Sequence, residues 1–144
     1  MADLPRNMRT ESASDLRHRV MAAVRSRDCR STEIAFAELL RQHCIRGWRR
    51  HVPMLGHPDF VFRGKRVLVF LDGCFWHGCP RCYRAPVANR EYWRRKVVGN
   101  RLRDRRQRRL LRLKGWTVLS IWEHSMRRPA AVVARLKRVG LCDE

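Results

Sequence analysis

The chain has 144 residues, enough for one domain with one modest hydrophobic core. Lys and Arg total 33 against 13 Asp and Glu, so the formal net charge is +20, outside the usual range of enzymes that act on small molecules. Like charges repel one another in a compact chain, so this excess indicates a polyanionic partner rather than a merely soluble basic surface. No segment approaches the roughly 18 apolar residues of a spanning helix. Nucleic acid is therefore favoured over a membrane as the partner.

The N-terminal 30 residues are polar and basic, and residues 1–10 contain no apolar run of a signal peptide. We therefore expect a protein that is not exported. Residues 1–30 are predicted to be a basic arm that DNA orders, with a short helix around residues 16–24. No linker divides the sequence, so residues 1–144 are predicted to form a single domain.

The first long helix is predicted to follow Ser31 and Thr32, either of which could cap it, and to end near Gly47. Its apolar residues recur at helical spacing: Ile34, Ala37, Leu40 and Cys44. A hairpin is predicted next, with strands at residues 58–62 and 67–71 and a turn at 63–65. The second strand is continuously apolar, as strands buried on both faces are.

A loop rich in Cys, Gly and Pro covers residues 73–89. A long helix is predicted over residues 90–114, ending at Gly115, followed by a second buried strand over residues 116–122. Pro129 is predicted to open the last helix. This order of elements predicts an α/β fold in which helices flank a small mixed sheet.

Two acids stand at strand ends. Asp59 starts the first strand of the hairpin and Asp72 follows the second. Folding the hairpin between them brings both carboxylates to one edge of the sheet. Mg²⁺ prefers oxygen ligands and is commonly held by one or two carboxylates and a substrate phosphate, so this edge is a candidate metal site. Asp is also frequent in turns at strand ends, and a structural role is the alternative.

The long helix has polar residues on the face that should point inward. That face combines apolar and polar side chains at helical spacing: Trp93, Val97, Asn100, Asp104 and Leu111. Eleven Lys and Arg lie between residues 94 and 114, yet Asp104 is the only acid of this helix after Glu91. A salt bridge to a neighbouring Arg would account for Asp104. A buried acid, however, needs a partner or a function.

A cysteine cluster lies in the loop after the hairpin. Three soft ligands within nine residues suit tetrahedral zinc: Cys74, Cys79 and Cys82. His124, just beyond the last strand, is the better candidate for the fourth ligand because zinc there would tie the loop to the core; His77 is the alternative. A redox CxxC pair does not need the third cysteine. The isolated cysteines are expected to be inert: Cys29, Cys44 and Cys142.

Together, these motifs resemble the very-short-patch repair endonucleases. The run DGCFWHGC at residues 72–79 is highly specific. The other matching segments are individually weak but fall in the right order: residues 25–28, 32–33, 56–60, Trp93, Asn100 with Asp104, and 115–123. The resemblance implies a restriction-endonuclease-like core, of the PD-(D/E)xK type, with an added structural zinc site.

The resemblance also implies an activity. These enzymes nick DNA on the 5′ side of the T in a T·G mismatch left by deamination of 5-methylcytosine, and repair synthesis replaces a short patch. The expected cofactors are catalytic Mg²⁺ and structural Zn²⁺. The expected partners are mismatched double-stranded DNA and accessory mismatch-repair proteins, and the expected form is a monomer in the bacterial cytoplasm.

The family's catalytic roles carry over residue by residue. Asp59 is expected to ligate Mg²⁺ directly, with the main-chain carbonyl of Leu71 as a second ligand. Glu33 is expected to orient a water ligand of the metal ion. His77 is the candidate general base or water-positioning group, since an imidazole can accept a proton at neutral pH. Three further residues complete the expected site: Asp72, Asn100 and Asp104.

Aromatic and basic residues carry the expected DNA contacts. The resemblance implies that aromatic side chains wedge into the base stack at the mismatch, where unstacking costs least: Phe75, Trp76 and Trp93. The alternative is that Phe75 and Trp76 belong to the core. The N-terminal arm is expected to follow the minor groove, with Arg25 and Arg27 as DNA contacts.

The sequence departs from the family at two points. Characterised members carry a His at the position of Asp72, and an Asp there brings the site closer to the ordinary two-carboxylate nuclease pattern. Their zinc ligands are also three Cys and one His, but in another order, and here the His would be His124.

Two other functions fit part of the sequence. A restriction-type, site-specific endonuclease would share the fold and the metal chemistry but read intact duplex. A non-catalytic, zinc-stabilised DNA-binding protein would explain the charge and the cysteines. It would leave unexplained a set of polar residues in an acid-poor chain: Asp59, Asp72, His77, Asn100 and Asp104.

Overall fold

A computed structural model describes residues 32–142 of the chain. Several predictions fall outside this range: the basic arm with Arg25 and Arg27, the short helix around residues 16–24, Cys29 and the candidate cap Ser31. Among the described residues, no helix combines the length and the apolar character needed to cross a membrane.

The described chain forms three α-helices, four strands and one 3-10 helix. In chain order they are α1 (32–42), β1 (Trp48–Arg50), β2 (Phe60–Phe62), β3 (Val67–Asp72), α2 (Arg90–Leu113), β4 (Thr117–Trp122), the 3-10 helix (Glu123–Arg127) and α3 (Pro129–Arg138). The strands form one sheet in the order β1-β2-β3-β4. The first three are antiparallel and β3 is parallel to β4, with α2 in the connection, so the predicted small mixed sheet is confirmed.

Two short elements differ from the prediction. Strand β1 has no apolar alternation of its own (its sequence is WRR), and it is a strand because Trp48 and Arg50 pair with Phe62 and Phe60 of β2. The 3-10 helix that carries His124 also lacks a sequence signal.

Helix α1 ends at residue 42, earlier than the predicted end near Gly47. Cys44 takes a left-handed φ of 54°, and the amide of Ile45 donates to the carbonyl of Leu40 at 2.8 Å. These are features of a helix C-terminus, so the helical periodicity that extends to Cys44 overestimates the length of the helix.

The sheet separates two apolar clusters because successive residues of a strand face opposite sides. On one face, Phe60 and Val69 belong to the cluster that includes α1 and α3; on the other, Leu68 and Phe70 pack with Leu111 of α2. Strand β3 is buried along its whole length, as predicted. Continuing the alternation places Asp72 on the α2 side of the sheet, which brings it under the helix.

Candidate active site and metal centre

Acidic side chains meet at the carboxyl end of β3. Asp59 precedes β2, and its main-chain amide donates to the carbonyl of Val69 at 3.0 Å. The Oδ2 atom of Asp59 accepts a hydrogen bond of 2.7 Å from the amide of Leu71. Asp72 is the last residue of β3 and lies close enough to act electrostatically on Asp59. The structure therefore brings both carboxylates to one edge of the sheet, as the hairpin pattern predicts.

Asp72 is held by an arginine of α2. Nη1 of Arg108 donates to Oδ2 of Asp72 at 2.7 Å, and Nη2 donates to Oδ1 at 2.6 Å. Nη1 also donates to Oγ of Ser120 at 2.9 Å, and the guanidinium lies over the ring of Phe70 at 4.5 Å. The sequence does not single out Arg108, because it is one of eleven basic residues between positions 94 and 114. The one available signal is its spacing, four residues after Asp104.

Glu33 of α1 lies on the other side of Asp59. It forms an ion pair with Arg50 of β1, and it lies close enough to Asp59 to help raise the pKa of that carboxyl. The predicted water-orienting residue is therefore next to the predicted metal ligand. The unpredicted strand β1 supplies the base that pairs with Glu33.

His77 forms a hydrogen bond with Asp104. Its Nδ1 atom lies 2.5 Å from Oδ2 of Asp104 and 3.9 Å from Oδ1 of Asp72. Burial raises the pKa of Asp104, but the hydrogen bond and charge of His77 outweigh burial, and the pKa falls below its usual value. Asp104 is thus a carboxylate; in the neutral imidazole it would accept from Nδ1–H, and Nε2 of His77 would then be the atom that can accept a proton. A contact of 3.4 Å with Arg103 is the weaker interaction of Asp104.

Asn100 braces the loop that follows β3. Its Nδ2 atom donates to the main-chain carbonyl of Trp76 at 3.0 Å, and the residue is buried. This contact gives Asn100 a role in holding the residue before His77. Among residues 32–142, no hydrogen bond joins its amide to Asp59, Asp72 or Asp104.

Asp59 is an acid without an ion-paired base among the described residues. Within residues 32–142, no cationic side chain forms an ion pair with it. Burial raises the pKa of Asp59 to about 7, and the charges of Glu33 and Asp72 add to the rise, while the amide of Leu71 opposes it. An acid with this environment gains most from a bound cation.

The predicted wedge residues form an aromatic cluster. Phe75 lies edge-on to Trp76 at 5.3 Å and to Trp93 at 5.4 Å. Trp76 and Trp93 are buried, whereas Phe75 is partly exposed. The alternative interpretation as core residues therefore fits Trp76 in this structure and does not fit Phe75. Tyr83 and Tyr92 also join the cluster, and sequence reasoning missed both.

Three cysteines and one histidine form a second cluster. The ligand atoms of four residues lie within 4.8 Å of one another: Cys74, Cys79, Cys82 and His124. The Nδ1 atom of His124 is 3.3 Å from Sγ of Cys74. His124 therefore completes the predicted ligand set, and His77, the alternative fourth ligand, is engaged with Asp104 instead. Three thiols and one imidazole suit a borderline-soft ion in tetrahedral geometry.

Comparisons with known proteins identify the family of the chain. The family model described as DNA mismatch endonuclease Vsr matches residues 12–84. The DNA mismatch endonuclease Vsr of Escherichia coli K12 is 35% identical over 113 residues, which cover 77% of this chain and 71% of that protein. The chain belongs to the Vsr family. This membership confirms the predicted family and the predicted enzyme class, an endodeoxyribonuclease.

Two further members of the family are named as nicking enzymes. The type II nicking enzyme V.XorIIP of Xanthomonas oryzae pv. oryzae is 36% identical over 135 residues, covering 90% of this chain and 96% of that protein. The type II nicking enzyme V.NaeI of Lentzea aerocolonigenes is 49% identical over 67 residues, but these cover only 46% of this chain and 40% of that protein.

The contact of Gly78 with α2 provides a test of the His77 geometry. Gly78 has a φ of +61°, and a Cβ atom there would meet Cγ1 of Val97 at 2.5 Å. The change Gly78→Ala is therefore expected to push the loop off α2, separate His77 from Asp104 and slow DNA cleavage by about 100-fold. Gly64→Ala is the matched control, since nothing lies within 4 Å of its added Cβ. Equal cleavage rates for the two variants would contradict the proposed packing.

The raised pKa of Asp59 predicts a pH dependence of stability. Folding raises this pKa from 3.8 to about 7, so the folded chain binds the proton more tightly than the unfolded chain. Without added divalent metal, the stability from protonated Asp59 is full below pH 3.8 and is lost as pH rises through about 7. Melting temperatures from pH 5 to 8 should fall less steeply in Asp59→Asn than in Glu38→Gln, an exposed control; parallel curves would contradict the assignment.

Proposed function

We propose that this chain is a Mg²⁺-dependent DNA mismatch endonuclease that nicks on the 5′ side of the T in a T·G mismatch. The observation that carries the proposal is the charge pattern at the carboxyl end of β3. Three acids there are matched by a base: Glu33 with Arg50, Asp72 with Arg108, and Asp104 with His77. Asp59 is left to bind a cation that substrate or solvent brings.

The donors around Asp59 suit Mg²⁺. The ion prefers oxygen and commonly takes one or two carboxylates, with waters and substrate phosphate completing its shell. Asp59 supplies the carboxylate, and we assign the main-chain carbonyl of Leu71 as the second protein ligand. When bound, Mg²⁺ lowers the pKa of water and neutralises charge on the phosphodiester. Glu33, which lies close enough to interact with Asp59, is the residue proposed to orient the attacking water.

His77 is the proposed general base. A phosphodiester is hydrolysed when water attacks phosphorus, loses a proton and displaces the sugar oxygen. The hydrogen bond from Nδ1 to Asp104 fixes the ring, selects the tautomer with a free Nε2 and stabilises the imidazolium after the proton has moved. Asp104 therefore acts through His77, as a positioning residue.

The Cys74, Cys79, Cys82 and His124 cluster is proposed to hold structural Zn²⁺. Four protein donors leave no open position for substrate, which is the pattern of structural zinc sites. The Oε2 atom of Glu123 accepts from the amide of Cys74 at 3.3 Å and adds a contact around the ligands. Zinc would tie the loop after β3 to the 3-10 helix after β4, and so hold His77 within the same loop.

Mismatch recognition is proposed to use the aromatic cluster. Phe75 is a partly exposed member of this cluster and lies edge-on to Trp76 and Trp93. Inserting an aromatic ring between bases requires unstacking, which costs least at a mismatched pair. The net charge of +20 supplies binding to the phosphate backbone. Contacts of Arg25 and Arg27 with the minor groove, a monomeric state, a single domain and recruitment by mismatch-repair proteins remain further proposals.

A second candidate function is nicking of an intact duplex at a specific sequence. The observation that favours it is the name of two relatives, V.XorIIP and V.NaeI, as type II nicking enzymes. The metal site would be the same in both cases. The two functions differ in whether the substrate must contain a mismatch.

A cleavage assay separates these functions. A short labelled duplex with one T·G mismatch in a CC(A/T)GG-type context is incubated beside its C·G control, with and without Mg²⁺. We expect a Mg²⁺-dependent nick in the T strand of the mismatched duplex only. Asp59→Asn should bind this duplex and not cut it, whereas Glu38→Gln should cut normally. Cutting of both duplexes would establish the second function, and binding without cutting would refute both.

The zinc proposal predicts a folding defect. Cys79→Ser removes a ligand and should leave the chain with less than one zinc per molecule and a lower melting temperature, because metal binding contributes to folding free energy. Cys44→Ser, at an exposed cysteine outside the cluster, should retain zinc and stability. Zinc content by atomic absorption and thermal melting give the readouts. A stable, active Cys79→Ser protein without zinc would refute the structural site.

A further inference from the structure

The Asp72–Arg108 pair occupies a position where a second metal ligand would be expected. Asp72 ends β3, at the same sheet edge as Asp59, and is 4% exposed. Each of its carboxylate oxygens accepts from a different guanidinium nitrogen, at 2.6 and 2.7 Å. A bidentate pair of this kind fixes the plane of the carboxylate and is stronger than a hydrogen bond between neutral groups.

Arg108 is itself held from three sides. Besides Asp72 it contacts Oγ of Ser120 on β4 and the ring of Phe70 on β3, and its side chain is 13% exposed. If Asp72 turned towards a metal ion, the guanidinium would remain buried without its counter-ion. Such separation of a buried pair is strongly unfavourable, so the pair opposes any movement of Asp72.

The two aspartates at this edge of the sheet therefore differ in ion pairing. Asp59 has no ion pair within the described chain; its Oδ2 atom accepts from the amide of Leu71, and Glu33 lies close enough to interact with it. Asp72 is neutralised by Arg108, which also lies close enough to interact with Asp59 and Asp104. Sequence pattern alone would give both aspartates the same role.

We propose that Arg108 is a positioning residue that holds Asp72 off the catalytic metal, so that Asp59 is the sole carboxylate ligand. The inference rests on the proposed function, since it concerns the same metal site. Asp72 is then an ion-paired residue with a structural role, and Arg108 limits the number of carboxylates that can ligate a divalent cation.

The test measures binding of Mn²⁺ to the zinc-loaded, full-length chain without DNA, by electron paramagnetic resonance of the free ion. D72N leaves the charge of Arg108 uncompensated and should weaken Mn²⁺ binding about tenfold. R108Q releases Asp72 and should strengthen Mn²⁺ binding about tenfold. The double variant D72N/R108Q replaces an ion pair by two neutral amides, and its affinity should lie within about threefold of the unaltered chain.

The double variant decides the outcome even if R108Q folds poorly. If Asp72 were a ligand, D72N/R108Q would bind Mn²⁺ as weakly as D72N, and the inference would be overturned. Restored affinity supports it, since a merely structural defect would not be corrected by a second substitution. R109Q, the same change at an exposed neighbour, is the matched control and should bind as the unaltered chain does.

Failure of the proposed function gives a different result. If the unaltered chain bound no Mn²⁺, or if D59N bound it undiminished, the proposed metal site at Asp59 would be wrong and the inference would fall with it. If D72N/R108Q lost affinity for Mn²⁺ and D59N also failed to bind Mn²⁺, the proposed role of Arg108 would be overturned. The endonuclease proposal would still stand.

Discussion

The site depends on the need to compensate buried carboxylates. An ionised acid in the interior of a small domain costs several kcal/mol unless a base or hydrogen-bond donors accompany it. Here each base comes from a different element: Arg50 from β1, Arg108 from α2 and His77 from the loop after β3. The contacts that pack these elements around the sheet are therefore the same contacts that arrange the site.

Sequence patterns were sufficient where a side chain's position follows from backbone geometry. Strand alternation and the hairpin place Asp59 and Asp72 at one edge, and helical spacing turns Asp104 inward. Sequence patterns were insufficient where one residue had to be identified among several of the same type and similar spacing. Arg108 is one of eleven bases in its helix region, and strand β1 depends on pairing with β2. Partner choice is a three-dimensional property that spacing along the chain does not contain.

The thiols of the soft donor set and the proposed general base lie on the same short loop. The thiols of Cys74 and Cys79 belong to the soft cluster, and His77 between them faces the oxygen-rich edge through Asp104. Because soft and hard ions prefer different donors, each site can select its own ion although they are neighbours in sequence. Zinc bound as proposed would limit the motion of this loop and would help to fix the position of His77.

Helix α2 carries Trp93 and Asn100 in its first half and Asp104 and Arg108 in its second. All four act from one side of a single rigid rod, as the aromatic cluster, the loop brace and the two carboxylate contacts. A one-residue insertion or deletion within this span would rotate one half against the other by about 100°. Insertions and deletions in this helix are therefore expected to be tolerated only outside residues 93–108. The spacing between these positions is thus as constrained as the identity of the side chains.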